Sequence, residues 1–236
     1  MRRLAILISL LVFVTGAGIF VASALSKRPI PAKPFVVTYK VTRLNVGEQP
    51  VTEELQTQFV KPTGEWKVTR YFLQENLATV RVGTKDAVYD VGANSLNFVS
   101  LPRSVDLYEP FRSAEFLKSH PSFTRMDKVA GFTAYVHHAS DSSGFWVELY
   151  YATETGITPL KTVMHDVDGS ELVIEAINVQ FRDVADLEVN PPDLPVSFSK
   201  AEQQVQEHRA RGETQSADAL SKTIEDVKQK HLNSSK

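Results

Sequence analysis

The chain has 236 residues, 42% of them hydrophobic and 23% charged, and a net charge of -2. That balance suits one globular domain of roughly 100–200 residues with extensions, and it lacks the basic footprint of a nucleic-acid binder. With 0 cysteines the chain has no disulfide, no thiolate metal site, no cysteine nucleophile and no lipid-modified N-terminal cysteine.

Arg2-Arg3 precedes an apolar run from Leu4 to Leu25. About twenty such residues span a bilayer as a helix. Residues 1–25 are therefore expected to be either a transmembrane anchor or a signal peptide. The second reading would cut near Ala24, in the small-x-small pattern Ala22-Ser23-Ala24. On both readings Arg2-Arg3 favours a cytoplasmic N-terminus and an extracytoplasmic domain, anchored to the inner membrane or secreted. Residues 26–34 carry Pro29, Pro31 and Pro34 and read as a stiff linker that holds the domain just off the membrane surface.

Strands begin at once. Phe35, Val37, Tyr39 and Val41 alternate with Val36, Thr38, Lys40 and Thr42, the period of a half-buried strand. Asn45 to Pro50 and Lys61 to Gly64 are turns. Between them Leu55, Thr57 and Phe59 alternate with glutamines. Trp66, Val68 and Phe72 share one face of the next strand with Arg70. Shorter strands follow at 79–82, 87–91 and 96–99, with Gly83 and Gly92 as punctuation. Short strands with turn signals between them predict an antiparallel sheet, barrel or sandwich. Pro110 and the spacing of Phe111, Ala114 and Leu117 predict one short helix at 111–119, ended before Pro121.

The stretch 131–181 reads as four strands joined by turns at Gly144, Gly156 and Gly169. Asp168-Gly169 is a strong hairpin signal, because glycine takes φ > 0 without steric cost. Within it Phe145, Val147 and Leu149 are expected to face the core, and Trp146, Glu148 and Tyr150 to face away. Apolar residues on both faces predict a cover on the second face: a helix, a lid loop or a bound apolar ligand. The domain is expected to span 35–195 and to close at Asn190-Pro191-Pro192. Residues 196–236 change character and read as a polar, partly helical tail. Its stripe of Phe198, Ala201, Val205, Ala217, Leu220, Ile224 and Val227 is too short for a coiled coil.

The chain carries few signs of chemistry. His137 and His138 are adjacent on a strand, so they face opposite sides and do not share a metal. His165, Asp166 and Asp168 flank a turn, and a catalytic zinc needs three converging ligands. No nucleophile motif, phosphate loop or calcium loop occurs. The expectation is no catalytic residue, no metal and no cofactor.

The run Val147-Glu148-Leu149-Tyr150-Tyr151, then Gly156-Ile157-Thr158-Pro159-Leu160-Lys161, then Asp168-Gly169-Ser170, resembles the periplasmic LolA/LolB-like group. Val129-Ala130-Gly131-Phe132 fits the hairpins of that group, and the similarity runs from about Ala87 to Pro195. The resemblance implies a mainly β fold, an unclosed antiparallel barrel with a helical lid over an apolar cavity, and binding of lipid chains or lipoproteins. On that implication Phe59, Trp66, Val68 and Phe72 would line the cavity and Arg70 would be its polar anchor. The expected function is an extracytoplasmic, membrane-tethered binding module for a lipid-like or lipoprotein ligand. The alternative is a non-catalytic interaction protein of an envelope complex that engages a protein partner through its C-terminal helix.

Overall fold

The computed structural model describes residues 33–84, 87–100 and 110–234. The apolar segment 4–25 lies outside them, as does most of the proline linker. No helix among the described residues is long and apolar enough to cross a membrane.

Twelve strands form one sheet in the order β12-β6-β5-β4-β3-β2-β1-β11-β10-β9-β8-β7. The first six are Phe35–Leu44 (β1), Val51–Val60 (β2), Trp66–Phe72 (β3), Leu77–Gly83 (β4), Val88–Val91 (β5) and Leu96–Ser100 (β6). The second series is Phe123–Val129 (β7), Phe132–Ser140 (β8), Trp146–Tyr151 (β9), Lys161–His165 (β10) and Glu171–Phe181 (β11), with the two-residue Val196–Ser197 (β12) at the far end. Each series is an antiparallel meander, and β1 joins the two by pairing with both β2 and β11. The four strands read from 131–181 are β8 to β11. β7, with its run Thr124-Arg125-Met126-Asp127-Lys128, is an additional strand whose side chains are largely exposed. Period-2 hydrophobicity is absent there, so the pattern rule passes over it.

The sheet is curled. β8 lies three strand spacings from β11, about 14 Å in a flat sheet. Yet the Phe132 and Phe181 rings are 5.8 Å apart. Val129, Phe132 and Ala134 join Phe35, Val37 and Val179 in one cluster. Strand length explains this. β9 and β10 are short, so the longer ends of β8 and β11 reach past them and meet. The loop from Ala152 to Leu160 fills the gap, and the Tyr39 hydroxyl donates to the Pro159 carbonyl at 3.0 Å. Bulges in the β1 pairings, between Thr38 and Tyr39 and between Val41 and Thr42, sharpen the local twist. The result is an unclosed, mainly antiparallel β fold.

The predicted helix at 111–119 exists as a 3-10 turn, Pro110–Arg112, followed by a helix, Ala114–Ser119 (α1). The Ser113 hydroxyl caps it by accepting from the Phe116 N–H. Its Leu117 is fully buried. Asp186–Val189 (α2) is a single turn that packs Val184 and Val189 on Val36 and Phe59.

The segment read as a polar tail folds back on the sheet. Ser199–Ala210 (α3) and Thr214–Ser234 (α4) form a helical hairpin. Ala201, Val205, Ala217, Ile224 and Val227 are buried against Val82, Tyr89, Leu96 and Phe98. The helical stripe seen in the sequence is thus a sheet-packing face. Its cause is β12, which pairs in parallel with β6 through Val196 and Leu96 and delivers the chain to that face.

Candidate functional site

The residues expected to line a ligand site sit on β2 and β3. Cross-strand register decides which of them meet, because directly paired residues share a face. Trp66, Val68, Arg70 and Phe72 lie on one face of β3, opposite Val60, Gln58, Gln56 and Glu54 of β2. Phe59 pairs with Lys67 and therefore points to the other face. There it packs with Val36, and Lys67 and Arg182 sit over its ring at 5.8 and 5.9 Å. Four of the five expected residues come together, and Phe59 is separated from them by the sheet itself.

Arg70 has a protein partner. Its Nε–H and Nη2–H donate to the two carboxylate oxygens of Glu54 at 2.6 and 2.7 Å. Glu54 is 3% exposed, while the guanidinium is half exposed and lies 5.0 Å over the Phe72 ring. A buried carboxylate needs such a fork. The expected polar anchor is thus one half of a neutral pair.

Trp66 owes its position to a glycine. Gly83 is its cross-strand partner, and a Cβ built on Gly83 would overlap the indole ring. Gly83 is thus the place where β4 makes room for an aromatic side chain, beyond the punctuation read from the sequence.

Large apolar side chains are uncovered around these strands. Val51, Leu55, Tyr71, Leu73 and Leu77 are all exposed, Leu77 at 49% beside Phe72. Leu55 and Tyr71 pair with each other on the opposite face. The helices α3 and α4 cover β4 to β6, α1 lies on β7 and β8, and the single turn of α2 covers the Phe59 face of β2 and β3.

The second half of the sheet holds two polar clusters. In the first, Arg125 forks onto Glu148 at 2.6 and 2.9 Å, and Tyr150 donates to Glu148 at 2.8 Å. The fork holds the Glu148 carboxyl below its ordinary range. Burial, then the neighbouring carboxylate, pushes the Tyr150 hydroxyl up to about 12. In the second, the Ser122 hydroxyl bridges His120 Nδ1 at 2.7 Å and His137 Nδ1 at 2.9 Å. His137 is 7% exposed, and its Nε2 is buried without a hydrogen-bond partner. Burial lowers its pKa to about 4, and His120 adds to the effect.

These clusters correct the expected orientation of β9. Val147 is 5% exposed, but Tyr150 is equally buried at 4%, and Trp146 packs against the core from the same side as Tyr150. Leu149 is only partly buried. Both faces of β9 are covered: Phe111 lies against Tyr151 at 4.9 Å, and Tyr150 and Trp146 pack in the core cluster of Phe35 and Val37. Alternation alone cannot name the inner face of a strand that is covered twice.

No group of three or more metal-ligating side chains is assembled among the described residues. A cleft of about 130 Å³ separates α3 from α4, lined by Glu202, Arg209, Lys228 and Ile224 among others. It is smaller and more polar than a typical small-molecule site. The molecule is therefore a curled β sheet, with helices packed at its flanks and an uncovered apolar stretch on β2 to β4.

No family model matches the chain, and no curated protein does. Among solved structures it is similar to an uncharacterized conserved protein from Thermus thermophilus, at 15% identity and a TM-score of 0.46, covering 71% of this chain and 91% of that one. It is similar to a LolA superfamily protein from Nitrosomonas europaea at 13% identity and a TM-score of 0.37, covering 70% and 94%. It is also similar to a chain of the Pseudomonas aeruginosa MucA/MucB complex, at 16% identity and a TM-score of 0.42, covering 68% and 56%.

Proposed function

We propose that this protein is an extracytoplasmic binding module, tethered or exported through residues 1–25, that holds a lipid-like or lipoprotein ligand on β2 to β4. The observation that carries this reading is the apolar face of β3 and β4, where the half-buried Trp66, Val68 and Phe72 stand beside Leu77, an exposed side chain paired with Phe72. An exposed apolar patch on one face of a sheet marks a binding region. Burying an acyl chain gains about 0.8 kcal/mol per methylene, so affinity requires no catalytic group. Because Glu54 already neutralises Arg70, the site discriminates little between neutral and anionic chains.

The reading in which a partner engages the C-terminal helix has less surface to use. The stripe of α3 and α4 that would meet a partner is buried on the sheet.

A fluorescent fatty-acid probe tests the proposal. The chain has 2 tryptophans, so a Trp146→Phe background leaves Trp66 as the reporter. Saturable quenching at micromolar probe, weakened at least about tenfold by Val68→Asp, is expected; a tenfold loss corresponds to about 1.4 kcal/mol. Absence of saturable quenching, with Val68→Asp indistinguishable from the parent, refutes it.

A further inference from the structure

The two ends of the sheet are finished differently. At one end β12 pairs with β6, and the chain then runs into α3 and α4 over the same strands. At the other end β7 pairs, among the described residues, only with β8, and Thr124 to Lys128 are exposed. An open strand edge is a template for another strand.

The β7–β8 hairpin determines which backbone groups face outward. Ala130 and Gly131 form a two-residue turn with positive φ at both positions, +49° and +85°. In such a hairpin the flanking pair, Val129 and Phe132, exchanges both hydrogen bonds, and bonded pairs then recur every second residue. Asp127 with Ala134 is the next bonded pair. The N–H and C=O of Met126 and Lys128 therefore point away from β8, into the open edge. The Lys128 N–H confirms this direction, since it donates to the Asp127 side chain at 2.7 Å rather than to β8.

Charge selects what pairs there. For two antiparallel copies of β7, a two-fold centre on Arg125 opposes two cations. A centre on Asp127 opposes two anions, and a centre on Lys128 again opposes two cations. A centre on Met126 sets Arg125 against the other copy's Asp127 twice over, and sets Lys128 against the bulge at Thr124. It also brings together two Met126 residues, each 49% exposed, in a bonded pair. Arg125 is held upright by Glu148 and Tyr150 through three of its hydrogen bonds. With five N–H groups it retains donors for a further carboxylate. We infer that β7 is a self-association edge: a second copy of this chain pairs antiparallel with it, centred on Met126, and joins two sheets into one.

Disulfide trapping of the full chain tests this, because the chain has 0 cysteines of its own. Bonded antiparallel partners have Cα atoms about 5.5 Å apart, within reach of a disulfide. In the inferred register two Lys128 Cα atoms lie about 14 Å apart, beyond it. Under mild oxidation Met126→Cys is expected to yield covalent dimer at least about tenfold faster than Lys128→Cys. Adding Asp127→Lys to Met126→Cys sets cations against Arg125 and is expected to return the rate to the Lys128→Cys level. Equal rates for Met126→Cys and Lys128→Cys overturn the inference and leave the edge to an extended segment of another protein. A Met126→Cys rate unmoved by Asp127→Lys overturns the register.

Discussion

His137 makes the stability of this fold depend on mildly acidic pH. Its imidazole sits under α1 between the rings of His120, Phe123 and Tyr151, at centroid distances of 5.5, 6.1 and 5.5 Å. In the unfolded chain it titrates near 6.5; in the folded chain burial lowers that to about 4. The unfolded state therefore binds the proton first as pH falls. Stability is fully present above pH 6.5 and is lost as pH drops toward 4, about 1.4 kcal/mol per unit within that window and roughly 3 kcal/mol in all. Between pH 7 and pH 5 the loss from this one group is about 2 kcal/mol. His137→Phe removes the titration and keeps the ring shape. It gives up the link to Ser122 but also the unpartnered Nε2, so its cost at pH 7 is expected to be about 1 kcal/mol or less. Urea titrations of both proteins at pH 7 and pH 5, followed by tryptophan fluorescence, give the double difference. The expected value is about 2 kcal/mol in favour of the variant at the lower pH. Parallel pH dependences in the two proteins would refute the assignment of a buried neutral imidazole.

Two further substitutions test the β2–β4 region. Gly83→Val forces the Trp66 indole out of its cross-strand seat and is expected to cost about 1–3 kcal/mol, with a red-shifted Trp66 emission in the Trp146→Phe background. Unchanged emission and stability would mean that the ring does not depend on Gly83. Arg70→Ala leaves the Glu54 carboxylate buried without its fork and is expected to cost about 2–4 kcal/mol in a denaturant titration. Adding Glu54→Gln should recover at least half of that, and no recovery would mean that Arg70 acts by packing on Phe72.

The hairpins were legible because their residues obey local rules. Asp168-Gly169 turns at a φ of +84°, and β1 and β3 carry the period-2 pattern. The α1 helix was legible from Pro110 and its apolar spacing. Three things were not. β7 carries its burial only at the ends, so it has no pattern to read. The tail's stripe names an apolar face but not what it packs on; that depends on β12 meeting a strand a hundred residues away in sequence. The grouping of Phe59 with Trp66 failed because two adjacent strands must be put in register before faces can be compared, and the turn at 61–64 sets Phe59 opposite Lys67. Glu54 as the partner of Arg70 was hidden for the same reason. Two residues sixteen apart on neighbouring strands become a pair only when the register is known.

The strand that joins the two meanders has a history during synthesis. β1 leaves the ribosome ahead of the other described strands, and β2 follows within a short turn. Its other neighbour, β11, follows nearly all of the domain, since Phe35 pairs with Phe181. At ordinary elongation rates that wait is on the order of 10 s. Meanwhile Phe35-Val36-Val37-Thr38-Tyr39 presents an unpaired edge of high β-propensity. Its closure over so long a loop makes the β1–β11 ladder a slow step. A nascent chain of this topology profits from being kept extended until β11 has been made, so that β1 meets β11 before it meets another molecule.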